Sequence, residues 1–278
     1  MKTSIRIFFL YLLVVWAFAC TSDSDFVSID GYEQSIDNEH IKSVSSNGQV
    51  RAQYLYDNAG KIREIKGMYS YQRYLYDNNR LIKVEYAVDD AVNDNVPSSS
   101  LQPPKELIPS GNYVIKYYKL FKYDNQKRLS KVENHFMMNG KNFELRSINT
   151  FEYEGKLIIK ENLCDENGKI NQYYTFAYDK NGNRTKERYN VCIIDGSPSN
   201  PKLINEITYK YDNYKNPYQI LNIAGPRFYT SANNMIEMTT VWYTDDPRTQ
   251  KTTQSFEYNS NGYPVKMKYE GGEEEYGY

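Results

Sequence analysis

Hydrophobic and polar residues alternate along most of the chain, in short runs that are separated by turn-forming residues. Many of these runs end in two aromatic residues with one residue between them, followed by Asp, Glu or Asn. In Tyr54-Leu55-Tyr56-Asp57 the two rings fall on one face of a strand, because successive strand side chains point to opposite faces. We call the second aromatic residue of each copy the motif tyrosine. The seven motif tyrosines are Tyr56, Tyr76, Tyr123, Tyr153, Tyr178, Tyr211 and Tyr258.

The residues after each motif tyrosine predict a turn and a returning strand. An Asp side chain can accept turn N–H groups, and Asn-Gly pairs are a strong signal for a short hairpin. These pairs occur at 47–48, 139–140, 167–168, 181–182 and 261–262. Aliphatic residues three positions apart, as at Leu81 and Val84 or Leu129 and Val132, break strict alternation and predict a turn residue or a bulge. The pattern therefore predicts an all-β fold, an antiparallel up-and-down meander of hairpins curled into an open or closed barrel-like sheet.

The motif copies resemble the YD repeats of RHS-type proteins. The layout as a whole is similar to that of lipoproteins of unknown function from Bacteroidota that carry degenerate YD repeats. The resemblance covers roughly residues 50–270 and implies an up-and-down β meander. The motif tyrosines lie 20 to 47 residues apart, whereas regular RHS arrays are tighter and form large shells.

The N-terminal residues are typical of an export signal. Lys2 and Arg6 flank the start of an apolar run over residues 7–19, which is shorter than the roughly 20 residues that a membrane-spanning helix needs. Ala17-Phe18-Ala19-Cys20 resembles the lipobox of bacterial lipoprotein signals, in which the cysteine is acylated. Ordinary secretion with cleavage nearby is the alternative.

The expected domain organisation follows from this signal. We expect residues 1–19 to be removed, residues 20–45 to form the lipidated cysteine and a tether, and residues 46–278 to form a single β domain. A Pro- and Ser-rich stretch predicts a long loop at 87–111 within that domain.

The expected location is the outer membrane, with the lipid at Cys20 as the anchor. The Ser- and Asp-rich residues 21–25 resemble the signal that directs Bacteroidota lipoproteins to the outer face of that membrane. A solvated tether explains the same residues, so periplasmic and surface-facing orientations both remain open, with the cell surface favoured.

Charge and composition bear on the partners. Removal of residues 1–19 takes away Lys2 and Arg6, which leaves 32 basic and 35 acidic residues and a net charge of about −3. This balance predicts no electrostatic affinity for nucleic acid. The chain contains 29 tyrosines, which suit half-buried positions on a pleated sheet. A glycan or an envelope protein is the expected kind of partner besides the membrane, and the pattern does not indicate an oligomeric state.

The two cysteines after Cys20 are expected to stay unbridged. Cys164 and Cys192 fall on the first and third strands of one predicted meander. Next-but-one strands lie about 9.6 Å apart, twice the strand spacing, whereas a disulfide needs Cα atoms within about 7 Å.

The chain shows no pattern of catalytic or metal-binding chemistry. His40 and His135 each lack a second His or Cys at metal-ligand spacing, and neither a phosphate-binding loop nor a G-x-S-x-G nucleophile elbow is present. We therefore expect no catalytic residues, no metal and no cofactor.

Five aromatic residues are the candidate ligand-stacking positions. Exposed rings offer a large contact area at low entropic cost, although the same rings can equally form the core and cross-strand ladder of a curled sheet. The candidates are Tyr71, Tyr74, Tyr118, Trp242 and Tyr243. The leading hypothesis is a non-enzymatic, lipid-anchored envelope protein that acts as a binding or scaffold module for a glycan, a peptide or an envelope protein. The alternatives are a hydrolase acting on cell-surface polymers and a purely structural envelope protein.

Overall fold

The computed structural model describes residues 40–68, 70–89, 113–194, 197–219 and 231–278. The signal segment, Cys20, residues 20–39 of the predicted tether and residues 90–111 of the predicted loop lie outside these ranges. Sixteen strands form within them. They are β1 (Ser43–Ser46), β2 (Gln49–Tyr56), β3 (Ile62–Gly67), β4 (Ser70–Asp77), β5 (Arg80–Asp89), β6 (Tyr113–Tyr123), β7 (Leu129–Met138), β8 (Asn142–Glu154), β9 (Leu157–Cys164), β10 (Ile170–Tyr178), β11 (Arg184–Ile194), β12 (Ser197–Lys215), β13 (Asn233–Trp242), β14 (Arg248–Tyr258), β15 (Pro264–Tyr269) and β16 (Gly272–Gly277).

Every strand pairs antiparallel with the next one along the chain, and the first pairs with the last. Val44 of β1 lies opposite Tyr276 of β16, and the Lys42 amide donates a hydrogen bond to the Gly277 carbonyl at 2.7 Å. The predicted all-β meander is confirmed, and it is the closed form that the chain adopts. Closure leaves the sheet without an edge strand whose backbone groups would lack partners.

The barrel begins earlier than the sequence-based boundary at residue 46. Ile41 and Val44 are buried in the hydrophobic core, and β1 already spans Ser43–Ser46. At the predicted long loop, β5 continues to Asp89 and β6 begins at Tyr113. The short β1 carries no motif copy, which is why periodicity alone placed it in the tether.

The bulges predicted from the aliphatic spacing are present. The register shifts between Leu75 and Tyr76, so that Tyr74 lies opposite Val84 while Tyr76 lies opposite Leu81. The same shift occurs between Lys122 and Tyr123. One additional residue on each returning strand brings both aliphatic side chains to the inner face, where they are buried.

The turns after the motif tyrosines include a five-residue type built around an acidic or amide side chain. At Asp179, one carboxylate oxygen accepts the amides of Asn181 and Asn183 at 2.8 and 3.0 Å, and Gly182 adopts a φ of 83°. Asp57, Asp124, Asp165 and Asn259 accept amides two and four residues later in the same way. The Asn-Gly pairs at 47–48 and 139–140 lack this preceding side chain, and both residues of each pair adopt positive φ.

All seven motif tyrosines lie at one end of the barrel, because each lies toward the C-terminal end of an even-numbered strand of the meander. We call this end the tyrosine rim and the other end the opposite rim. At the tyrosine rim, β3 and β4 are neighbours without a covalent connection, and their pairing stops at Glu64 and Arg73. The Tyr76 hydroxyl crosses the remaining gap and donates to the Ile62 carbonyl at 2.9 Å.

The same bond recurs around the rim. The pairing of β5 and β6 stops at Lys83 and Leu120. Three residues beyond Leu120, the Tyr123 hydroxyl donates to the Leu81 carbonyl at 2.8 Å. Tyr56, Tyr153, Tyr178 and Tyr211 donate to the carbonyls of Ile41, Leu129, Ile158 and Arg184 at 2.6–2.7 Å. Each bond satisfies a carbonyl that the end of the strand ladder leaves without a strand partner.

One motif tyrosine lacks this hydrogen bond to a strand carbonyl, and one tyrosine outside the seven copies forms it. The Tyr258 hydroxyl is hydrogen bonded to the Asp212 carboxylate instead of a strand carbonyl. Tyr278, which is outside the seven copies, donates to the Pro264 carbonyl at 2.9 Å. Tyr276-Gly277-Tyr278 therefore acts as an additional copy of the motif at the end of the chain.

The hydrophobic core fills the barrel behind the tyrosine rim. It combines the first aromatic residue of several motif copies with the aliphatic residues that open the returning strands. Its members are Ile41, Val44, Tyr54, Ile62, Tyr74, Leu81, Val84, Phe121, Leu129, Val132 and Tyr276.

The prediction for the cysteines is confirmed. Cys164 ends β9, Cys192 lies in β11, and no disulfide joins them. Burial raises the pKa of the Cys164 thiol.

We expect Tyr123→Phe to destabilise the protein by about 1–3 kcal/mol, because the substitution keeps the ring but leaves the buried Leu81 carbonyl without its donor. Urea unfolding followed by tryptophan fluorescence measures this change. Tyr243→Phe, at an exposed ring, is the matched control. Equal stability of the two variants would show that the rim hydrogen bond contributes nothing.

Candidate functional site

The inner face of the barrel offers a concave site between the tyrosine rim and the centre. It is formed by β13 to β16 on one side and by the turn after β12 on the other. In that turn the Tyr218 amide donates to Asn216 Oδ1 at 3.0 Å, and Asn216 Nδ2 donates to the Ser231 carbonyl at 2.7 Å. These two bonds hold the turn so that the Tyr218 ring enters the barrel.

Tyr218 packs edge-on against two core rings. Its ring centroid lies 6.5 Å from that of Tyr54 and 5.9 Å from that of Tyr276. The hydroxyls of Tyr218 and Tyr276 are hydrogen bonded to each other. Burial raises the pKa of both phenols, so both remain neutral donors and acceptors.

A cavity of about 220 Å³ lies beside this ring cluster. Most of its wall is apolar, formed by aromatic rings, methionine side chains and prolines. The described lining residues are Asn216, Pro217, Tyr218, Asn234, Met235, Gln254, Phe256, Pro264, Met267, Glu274 and Tyr276.

Glu274 is the acidic residue in this lining. It lies opposite Met267 on the inner face, and burial raises the pKa of its carboxyl, an effect that the positive charge of Arg51 partly offsets. Arg51 Nη1 donates to Met68 Sδ at 2.8 Å. Among the described residues, the Glu274 carboxylate forms neither a hydrogen bond nor an ion pair.

The other acidic side chains on the inner face are already paired. Glu187 forms an ion pair with Arg184 at 2.8 Å, and the guanidinium lies 4.3 Å from the centroid of the Phe176 ring. Glu161 accepts a hydrogen bond from Asn149 Nδ2 at 2.6 Å. These contacts satisfy buried charges and stabilise the wall, whereas Glu274 faces open space.

The outer face of β8 to β15 carries cross-strand ion pairs. Lys160 Nζ lies 2.7 Å from Glu152 Oε1, and Arg188 Nε lies 2.6 Å from Glu206 Oε2. Further pairs are Lys186–Glu206, Lys210–Glu237, Lys251–Glu237 and Lys268–Glu257. Each exposed pair contributes little stability, but charged side chains at these positions indicate a wall that contacts water.

Two of the five candidate stacking aromatics are buried. Tyr71 and Tyr74 are 2% and 3% exposed, because Tyr71 lies opposite buried Ala87 and Tyr74 belongs to the hydrophobic core. Neither ring therefore offers an exposed platform. Sequence alternation marked them as strand residues without showing which faces the fold would cover.

The other three candidates keep accessible surface. Tyr118 stacks on His135 with centroids 4.7 Å apart, and Lys83 Nζ lies 4.2 Å from the centroid of its ring. The Arg248 guanidinium lies 4.6 Å from the centroid of the Trp242 ring, and Tyr243 is 44% exposed. The structure does not gather these three rings with the cavity, so ligand stacking on them stays a prediction.

The two histidines are packed against rings. His40 stacks on Tyr56 with centroids 4.6 Å apart, and burial together with Lys42 lowers its pKa. His135 Nε2 lies 3.8 Å from Glu133. Among the described residues, no group of three or more His, Cys, Asp and Glu side chains is arranged to hold a metal ion.

Comparison with known proteins yields structural similarity at low sequence identity. No family model matches the chain, and no curated protein matches it in sequence. A porin-like protein from Bacteroides uniformis matches with 10% identity over 85% of this chain and 97% of its own, at a TM-score of 0.44. A porin-like protein from Bacteroides vulgatus matches with 9% identity over 87% and 99%, at a TM-score of 0.40. A structure of TcdB2-TccC3 without its hypervariable C-terminal region matches with 13% identity over 79% of this chain and 12% of its own, at a TM-score of 0.25.

Within the described segments, no helix is long and apolar enough to cross a membrane.

We expect Glu274→Gln to raise the melting temperature at neutral pH and to have no effect near pH 4. The raised pKa means that folding favours the protonated carboxyl, so this contribution to stability is complete below the ordinary glutamate pKa of about 4.3 and is lost as pH rises through the folded-state value. Glutamine stays neutral at every pH and avoids the loss. Thermal unfolding across this pH range measures the difference.

Glu275→Gln is the control for this prediction. Glu275 is the exposed neighbour of Glu274 and lies 3.3 Å from Lys266 Nζ, so its removal gives no stabilisation at neutral pH. A parallel response of the two variants would contradict the inner-face environment of Glu274.

Proposed function

We propose that this chain is a lipid-anchored cell-envelope protein whose barrel is a non-enzymatic binding module, with its ligand held inside the barrel. The observation that carries the proposal is the cavity beside Tyr218, which combines a mostly apolar wall with the Glu274 carboxylate, for which the described residues provide neither a hydrogen bond nor an ion pair. Binding sites commonly combine a concave apolar surface with a few polar groups that fix orientation. The charged outer wall supports a domain that works in water next to a membrane.

The anchor is supported by the first twenty residues of the sequence. The charged start, the apolar run over residues 7–19 and the lipobox-like Ala17-Phe18-Ala19-Cys20 together favour acylation. A lipid anchor with two or more acyl chains holds a protein stably at a membrane, because each buried methylene contributes about 0.8 kcal/mol. The resemblance to YD-repeat lipoproteins of Bacteroidota points the same way.

We expect Cys20→Ala to abolish incorporation of labelled palmitate and to release the protein from the membrane fraction of a Gram-negative host. Cys192→Ala, which removes a cysteine of the barrel wall, should leave both properties unchanged. Equal labelling of the Cys20→Ala variant and the unaltered chain would disprove the anchor. Protease treatment of intact cells then separates the two orientations, since only a surface-facing barrel is cut.

The binding half of the proposal is tested separately, with the purified full-length chain on a glycan array and in an envelope pulldown. A saturable hit that free ligand competes away supports a binding module. Turnover of a cell-surface polymer in the same samples would instead establish the hydrolase alternative. If neither the glycan array nor the pulldown detects binding by protein that circular dichroism shows to be folded, a structural role is favoured.

A further inference from the structure

The charge, lining and size of the cavity indicate a narrower class of ligand than the proposed function names. We propose that it binds a small organic cation of the quaternary-ammonium type, with the Glu274 carboxylate as the counter-ion. This inference deepens the proposed binding function, on which it rests, and names the class of ligand. It does not depend on the lipid anchor.

Charge is the first reason. A carboxylate that is withdrawn from water needs a compensating partner, because transfer of an unpaired ion into an apolar environment is costly. Glu187 and Glu161 have such partners on the inner face, namely Arg184 and Asn149. Glu274 has neither a hydrogen bond nor an ion pair among the described residues, and it lies in the cavity wall. Arg51 offsets the effect of burial on Glu274 only in part, and a bound cation would complete the charge compensation.

The surrounding wall is the second reason. Tyr218, Tyr276 and Phe256 contribute aromatic rings, which attract cations through the negative potential of their faces. Met235 and Met267 add polarisable thioether groups. An alkylated ammonium group can contact such rings and methionines and still face a carboxylate.

Size is the third reason. The cavity, at about 220 Å³, exceeds the roughly 150 Å³ of an apolar protein cavity that accepts benzene, and it is smaller than the roughly 300–1,000 Å³ typical of pockets for drug-sized ligands. A cation about the size of choline therefore fits this volume.

The test compares choline with 3,3-dimethylbutan-1-ol, which has the same shape with a neutral carbon in place of nitrogen. Isothermal titration of the full-length chain in dodecyl maltoside avoids detergents that carry an ammonium group. We expect saturable choline binding, and at least about tenfold weaker binding of the neutral isostere, equivalent to about 1.4 kcal/mol. Glu274→Gln keeps the shape of the side chain and should weaken choline binding by a similar factor.

Glu275→Gln is the matched control and should bind choline as the unaltered chain does, because its carboxylate lies on the outer face beside Lys266. Circular dichroism and melting temperature confirm that both variants fold. Equal affinity for choline and the isostere, unchanged affinity in Glu274→Gln, or no saturation at millimolar choline would each overturn the inference. A glycan or envelope-protein hit without choline binding would overturn it while leaving the proposed function intact.

Discussion

The tyrosine rim depends on the hydrogen bond between a motif tyrosine hydroxyl and a carbonyl of the neighbouring strand. The bond satisfies a carbonyl that lies beyond the last pair of the strand ladder. Neighbouring hairpins are not joined covalently there, and the strand ladder stops before the last residues, as it does at Glu64 and Arg73 between β3 and β4. The first carbonyl of the returning strand then lies in the core without a strand partner. Tyr76 donates to that carbonyl with its hydroxyl, while its ring packs against the core. A phenylalanine could fill the space but could not satisfy the carbonyl, which explains why the motif contains tyrosine.

Local periodicity was sufficient to predict the strands, the bulges and the turns, because each depends on residues close together in the chain. Closure of the barrel depends on contacts between Val44 and Tyr276, which lie at opposite ends of the sequence. β1 has only four residues and no aromatic pair, so no local pattern marks it. Tyr276-Gly277-Tyr278 was overlooked as a motif copy because no turn residue follows it. Two kinds of Asn-Gly turn occur, and the residue three positions before the glycine distinguishes them. In the five-residue kind this residue accepts turn amides, as Asp179 does before Gly182.

The candidate site was less accessible to sequence reasoning for a physical reason. Glu274 is the middle residue of a run of three glutamates, a pattern that is typical of a solvated surface. Glu274 lies two and four residues before Tyr276 and Tyr278. The alternation of strand side chains therefore predicts all three on the same, inner face. The position of Tyr218 depends instead on hydrogen bonds between Asn216 and Ser231, across a connection that has no periodic pattern. Burial of Tyr74 likewise depends on the closed sheet, and not on its own spacing.

Because the barrel has an even number of strands, the chain enters and leaves it at the same end. The Ile41 carbonyl, just before β1, and Tyr278, just after β16, both take part in the hydrogen bonds of the tyrosine rim. In the proposed anchored protein, the residues between Cys20 and Ile41 can reach at most about 70 Å when fully extended. The attachment point would therefore be at the tyrosine rim, and the connections of the opposite rim would lie at the end of the barrel farther from it.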